Sequence, residues 1–281
     1  MKSYSVAAKL SSTLVLLFCT MFLYSQQKDS RSYFHITIGP SFPLGKYGNG
    51  EDYTTNQGMA KTGGVIKLSA TTLVKKNFGL IASLQFQVNP INTAALEKDI
   101  WKVSNGQLGV GGVFTDTVIV FPSQPPSRTS PYKNWQVDNS LWKVGSLMIG
   151  AFNEFPFKGS KNLSLFVEGN IGFSYAWSPE ITGQSATDTS FATFKQYKNS
   201  GMGFSYSLGT GLNYGLNTKT NLRFNIDYFG TSTIRFAKMR TVSYEEKSNN
   251  PMGGTSYSSM VRDGKIPISA INVGVGLSFL L

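Results

Sequence analysis

The sequence predicts an all-β protein: an up-and-down antiparallel transmembrane β-barrel of eight strands, with short turns at one end and long loops at the other. Three observations carry that expectation. First, the stretch Ile268 to Leu281, ISAINVGVGLSFLL, alternates strictly, with Ile271, Val273, Val275, Leu277, Phe279 and Leu281 apolar and Asn272, Gly274, Gly276 and Ser278 small or polar. A strand that closes a barrel must stay paired to its end, because an open sheet edge in lipid leaves backbone groups unsatisfied. Second, eight such segments follow one another, and their connections alternate between short and long. Third, no apolar run after the N-terminus reaches the roughly 20 residues of a spanning helix. The mean hydropathy is only -0.11, because a barrel sets its lipid-facing residues at every second position and the average cancels.

Taken in order, the first strand is expected from Tyr33 to Pro40, with Phe34, Ile36 and Ile38 on one face and His35, Thr37 and Gly39 on the other. The run GPSFPLG, Gly39 to Gly45, is expected to break it, and a loop to about Ala60 follows. The second strand spans Gly64 to Val74, and Lys75-Lys76-Asn77 makes a tight turn. In the third, Phe78 to Val88, Leu80, Leu84 and Phe86 oppose Ser83, Gln85 and Gln87. The connection from Asn89 to Asn139 holds Pro122, Pro125, Pro126 and Pro131, which exclude a central strand, while Val113 to Phe121 reads as a projecting hairpin arm.

The fourth strand, Trp142 to Phe155, has an ambiguous phase. The fifth, Leu163 to Trp177, sets Leu165, Val167, Ile171, Phe173 and Tyr175 against Ser164, Glu168, Asn170 and Ser174; Ser178 to Ser200 then reads as a loop. The sixth is Met202 to Tyr214, with Phe204, Tyr206 and Leu208 opposite Ser205, Ser207 and Gly209. In the seventh, Asn221 to Gly230, Leu222, Phe224, Ile226 and Tyr228 oppose Arg223, Asn225 and Asp227. A loop from Thr231 to Lys265 precedes the final strand.

A soluble ligand-carrying barrel would alternate too. Here the row opposite the large apolar residues is Gly, Ser and Asn, which suits a narrow polar interior better than a surface in water. Aromatics also gather at the strand ends, with Phe34, Phe78, Phe155, Tyr214 and Phe279 towards the turns and Trp142, Tyr175, Trp177, Phe204 and Tyr228 towards the loops. Two such girdles mark lipid interfaces.

The N-terminus reads as a cleaved signal peptide, residues 1–25, with Lys2 and Lys9 in the positive region, Leu14 to Leu23 apolar, and Leu23 and Ser25 before the cleavage at Gln26. Residues 26–281 then form the barrel domain. Cleavage removes Cys19, the one cysteine, and with it any disulfide or thiol chemistry. The mature chain keeps 24 basic residues against 15 acidic, net +9. The bases are scattered through the loops without a basic helix, so nucleic acid is not expected as a partner. Lipid phosphates and acidic sugars are.

With its final strand and its GPSFPLG stretch, the chain resembles the small outer-membrane β-barrel families of Gram-negative bacteria, the OmpA-like and PorT-like barrels. That resemblance implies a bacterial outer-membrane location, periplasmic turns, extracellular loops, and a menu of roles: structural protein, receptor, adhesin or accessory part of a secretion machinery. The leading expectation is a non-enzymatic, porin-like surface protein. Its loops would bind a partner, or the lipopolysaccharide layer. A small pore and a secretion accessory subunit are the alternatives, and a lipid-modifying enzyme is a weaker third.

Four charges fall on polar rows: Lys67, Glu168, Arg223 and Asp227. In a small barrel they point into the lumen, where buried charges must pair. They form either a gate or a permanent network, and the second is favoured because eight-stranded barrels are filled by side chains. His35, the one histidine, faces the same lumen without an evident serine or acid partner. The glycine runs Gly209 to Gly215 and Gly274 to Gly276 open no helix and so are not phosphate loops. No cofactor and no metal ion is expected. Phe114, Phe121, Tyr132 and Trp135, on the longest loop, are the candidate binding surface, with mutual packing over the barrel as the alternative.

Overall fold

A computed structural model of the protein describes residues 31–48, 57–97, 135–160, 162–186, 190–237, 242–248, 255–260 and 263–281. The segments expected as a signal peptide, residues 1–25, and as a projecting arm, Val113 to Phe121, lie outside them. Eight long strands close a barrel in which every neighbour is the next barrel strand along the chain. They are β1 (Ser32–Pro43), β2 (Gly63–Leu73), β3 (Phe78–Pro90), β5 (Leu141–Pro156), β6 (Leu163–Trp177), β9 (Ser200–Gly215), β10 (Thr220–Phe236) and β13 (Gly264–Leu280). Their 11 to 17 residues exceed the roughly 10 that a tilted strand needs to cross a bilayer. The barrel closes where β13 pairs with β1, Leu277 opposite Ile36 and Phe279 opposite Phe34. The Leu281 amide donates to the Ser32 carbonyl at 2.9 Å, so the two ends of the barrel meet beside the short turns.

The faces follow from alternation. Leu208 and Ile226 are 64% and 56% exposed, whereas Glu168 and Arg223 are 2% and 3% exposed. Large apolar residues thus form the outer wall and polar residues the interior, the inverse of a barrel built for water. The architecture is a transmembrane-type β-barrel.

Four features differ from the sequence expectation. β1 does not end at Pro40 but runs to Pro43. Its ladder to β13 omits Gly39 and Pro40 without a change of register, Ile38 facing Val275 and Ser41 facing Asn272. Proline removes one donor, yet the pairing with β2 carries the strand past the gap.

The segments expected as loops, 178–200 and 231–265, are largely strands. β7 (Ile181–Ala186) and β8 (Ser190–Gln196) continue the β6–β9 hairpin; β11 (Val242–Ser248) and β12 (Thr255–Met260) continue β10–β13. With the short β4 (Gln136–Val137) they make a second sheet in the order β12-β11-β8-β7-β4 at the loop end.

A bulge between Gly230 and Thr233 explains the early stop expected for the seventh strand. It inserts one residue and inverts the phase, so that Phe229 points inward before it, and Ile234 and Phe236 after it. Finally, β5 has large apolar residues on both faces. Trp142, Val144, Met148 and Phe152 point in, while Leu141, Ile149 and Phe155 point out. Trp142 is therefore no girdle residue: it is buried in the lumen.

Candidate functional site

The lumen is filled in three layers. At the turn end Leu73, Ile81, Phe152 and Phe166 form an apolar cluster against which Tyr33 packs. His35 belongs to this layer. Its Nε2 lies 3.1 Å from the Thr71 hydroxyl, and its ring is stacked with Tyr33, centroids 6.1 Å apart. Phe152 lies beside it, ring centroids 6.2 Å apart, and no acid or serine hydroxyl is among these contacts.

The middle layer holds the four charges. β2 supplies Lys67, β6 Glu168 and β10 both Arg223 and Asp227, and each lies on the inward row of its strand. Glu168 stands between two cations: one carboxylate oxygen accepts from Lys67 and the other from Arg223 at 2.8 Å. Lys67 Nζ also lies 3.9 Å from Asp227. Asn225 and Asn272 donate to the two oxygens of Asp227 at 2.8 and 3.1 Å. The Arg223 guanidinium carbon sits over the Phe166 ring, 3.5 Å from its centroid, and the group reaches Asn213 at 3.4 Å. Two positive and two negative groups therefore balance in a site from which bulk water is excluded, and every one has an opposite charge or an amide against it. Such a layer is costly to break at one member.

The loop end is closed by a larger apolar cluster built from Tyr47, Met59, Ile91, Trp142, Phe229 and Phe236 with their neighbours. Trp142 is its centre. The indole N–H donates to the Gly58 carbonyl at 2.7 Å, and the ring meets Tyr47 and Phe236 edge to face at 5.7 and 5.6 Å. Tyr47 donates to Asn89 at 3.2 Å, and burial pushes its phenol well above the usual tyrosine range.

Trp135 also lies in this cluster, 5% exposed. It is therefore part of the seal and not of an exposed binding surface, because the chain entering β5 folds inward over the lumen. Phe114, Phe121 and Tyr132 lie outside the described residues. Alternation alone does not find Ile81, Phe152, Phe166 and Phe229, four of the apolar residues of the lumen. Their signal was there to find: each is a large apolar residue out of step with its strand, as Phe166 is between Leu165 and Val167.

Among the described residues no group of three or more His, Cys, Asp or Glu side chains is placed to hold a metal ion. Along the lumen the paired charge layer lies between the two apolar clusters.

No protein-family model matches the chain, and no curated protein matches it. Solved structures do. A major outer-membrane protein from Thermus thermophilus is 10% identical over 89% of this chain and 99% of that one, TM-score 0.41. Neisserial surface protein A is 8% identical over 90% and 97%, TM-score 0.37. Ail, the attachment invasion locus protein of Yersinia pestis, solved with the heparin analogue sucrose octasulfate, is 13% identical over 89% and 97%, TM-score 0.34. The first is an outer-membrane protein and the second a surface protein by name; overlaps this loose carry no argument about what this chain binds.

Proposed function

We propose that this protein is a non-enzymatic integral protein of a bacterial outer membrane, in which a sealed barrel anchors a strand-built platform that engages a partner or the lipopolysaccharide layer outside the cell. The observation that carries this reading is the division of the chain. The barrel lumen is closed by its own side chains, while its hairpins run on into the five-stranded sheet at the loop end. A barrel built to transport would leave its lumen open; one built to hold something else steady is filled and extended. Scattered loop lysines suit a phosphate-rich and sugar-rich surface. The buried charges satisfy one another, which supports a structural role for them over a gate.

Planar-bilayer recordings test the anchor. The reading expects no discrete conductance steps from the native chain at moderate voltage. Regular steps of uniform size would overturn it in favour of a pore. A second measurement bears on the platform: replacing β7–β8 and β11–β12 by tight turns should leave a heat-modifiable barrel on gels but remove lipopolysaccharide that copurifies with the native chain. Unchanged retention would move the binding role off the platform.

A further inference from the structure

The outer wall of the barrel carries a cleft of about 250 Å³ where β5 and β6 leave the apolar belt, lined by Ser140, Leu141, Lys143, Trp177, Ser178 and Lys198. We propose that this cleft binds the phosphate of a lipid headgroup in the outer leaflet, with an acyl chain of the same lipid lying in a furrow below it. The inference rests on the membrane-spanning reading above and adds the ligand class and the residues.

The two cations are free for the task. Lys143 is exposed on the outward row of β5, and Lys198 is exposed in the link from β8 to β9. Neither forms an ion pair among the described residues. Glu180 borders the cleft, but its carboxylate lies 3.5 Å from Lys195, which answers its charge. The Ser178 hydroxyl is buried and taken up by the Asn199 backbone, so what remains is a net positive cleft with the Ser140 hydroxyl beside it, a fit for a phosphate group.

Its position selects the source of the phosphate. Lys143 stands directly opposite Trp177 in the β5–β6 register, and Trp177 packs against Tyr175, ring centroids 4.7 Å apart. These are aromatics of the loop-end girdle, the depth at which lipid headgroups lie. Immediately below Lys143 on the same outward row is Gly145. Its cross-strand neighbours are Phe86 on one side and Tyr175 on the other. A Cβ there would meet nothing nearer than 3.9 Å, from Phe86 and Trp177. The missing side chain therefore leaves a furrow one residue wide, walled by aromatics, running from the cationic cleft onto the lipid-facing wall towards Leu147. Cation above and apolar furrow below match a phosphorylated lipid, whereas a soluble anion would use only the upper half.

The probe is dihexanoyl phosphatidic acid, titrated onto the folded full-length chain in dodecyl maltoside and read by native mass spectrometry, with dihexanoyl phosphatidylcholine as the control lipid. The native chain should bind the acid about tenfold tighter than the choline lipid, as expected for charge-assisted contacts. Lys143→Gln/Lys198→Gln should remove that preference. Gly145→Leu should fill the furrow and weaken both lipids while the barrel stays folded, since the added side chain points into lipid. An unchanged preference in the lysine double variant would overturn the site. Displacement of the lipid by inorganic phosphate at equal concentration would overturn the lipid assignment, as would Gly145→Leu binding that matches the native chain. Insertion into phosphatidylcholine liposomes and a band shift on unboiled gels, measured on the same samples, keep the two readings apart. A native chain that fails to insert overturns the membrane reading; an inserted lysine double variant with unaltered selectivity overturns the cleft alone.

Discussion

Glu168→Gln is the sharpest perturbation of the lumen. The substitution keeps the shape of the side chain and removes its charge. Lys67 then loses its closest anion and keeps only Asp227, 3.9 Å away. Arg223 loses its 2.8 Å carboxylate contact and keeps Asn213 and the face of Phe166. One uncompensated positive charge is left in a layer whose lysine and arginine are 5% and 3% exposed. Removing one partner of a buried pair costs about 3–5 kcal/mol, so the single variant should lose about that much unfolding free energy. Lys67→Met/Glu168→Gln restores neutrality, with Arg223 balanced by Asp227. The double variant should therefore regain at least about 1 kcal/mol over the single, a coupling in the range seen for contacting residues. Urea unfolding in phosphatidylcholine vesicles, followed by tryptophan fluorescence, measures both. A Glu168→Gln barrel within about 0.5 kcal/mol of the native chain, the level of an ordinary surface substitution, would refute the reasoning. So would a double variant as unstable as the sum of the two singles.

Three further outcomes follow from the geometry. Trp142→Ala should open a cavity in the loop-end seal and cost about 3–5 kcal/mol; stability within about 1 kcal/mol of native in the same urea assay would mean that the indole is not the keystone of that cluster. Gly276→Ala should block closure, because an added Cβ would stand 1.8 Å from the Ile36 carbonyl oxygen across the β13–β1 seam, and a normal folded band on unboiled gels would contradict the close approach. Tyr47 sets a pH dependence. Its phenol is raised in the folded state by burial, so above the unfolded value of about 10 the unfolded chain loses a proton that the folded chain keeps, and stability falls as pH rises. Tyr47→Phe should flatten that alkaline fall relative to the native chain, and equal slopes from pH 9 to 11 would rule Tyr47 out as its source.

The strands were legible wherever one rule governed them. On β6 the expected range, Leu163 to Trp177, is the observed one, because lipid outside and a polar lumen inside impose the same period of two along the whole strand. Legibility failed where the lumen itself turns apolar. Phe152, Phe166 and Trp142 look like phase errors in a two-row pattern, yet each caps a polar layer that water would otherwise enter. The bulge at Gly230 hid the upper end of β10 in the same way: inverting the phase there brings Ile234 and Phe236 into the seal, and a strict alternation count ends the strand just as it acquires that role.

The charges were easier, for an energetic reason. In a row of Gly, Ser and Asn, a Lys or Glu has no way to reach water, so its presence implies a partner on another strand. What the rows could not supply was which strands would meet. Lys67 and Glu168 are 101 residues apart and sit on strands that are not neighbours. Only the closed barrel and its stagger bring them to the same height. The outer sheet was illegible for the opposite reason. Its strands no longer face lipid, so the large apolar alternation that marks their lower halves stops at the girdle, although the backbone pairing of β6 with β9 passes on into β7 with β8. Pairing persists past the membrane because the hairpin is already in register there, and each further residue closes hydrogen bonds at little added cost in chain entropy. A loop above a long barrel hairpin is therefore predisposed to be strand, whatever its side chains show.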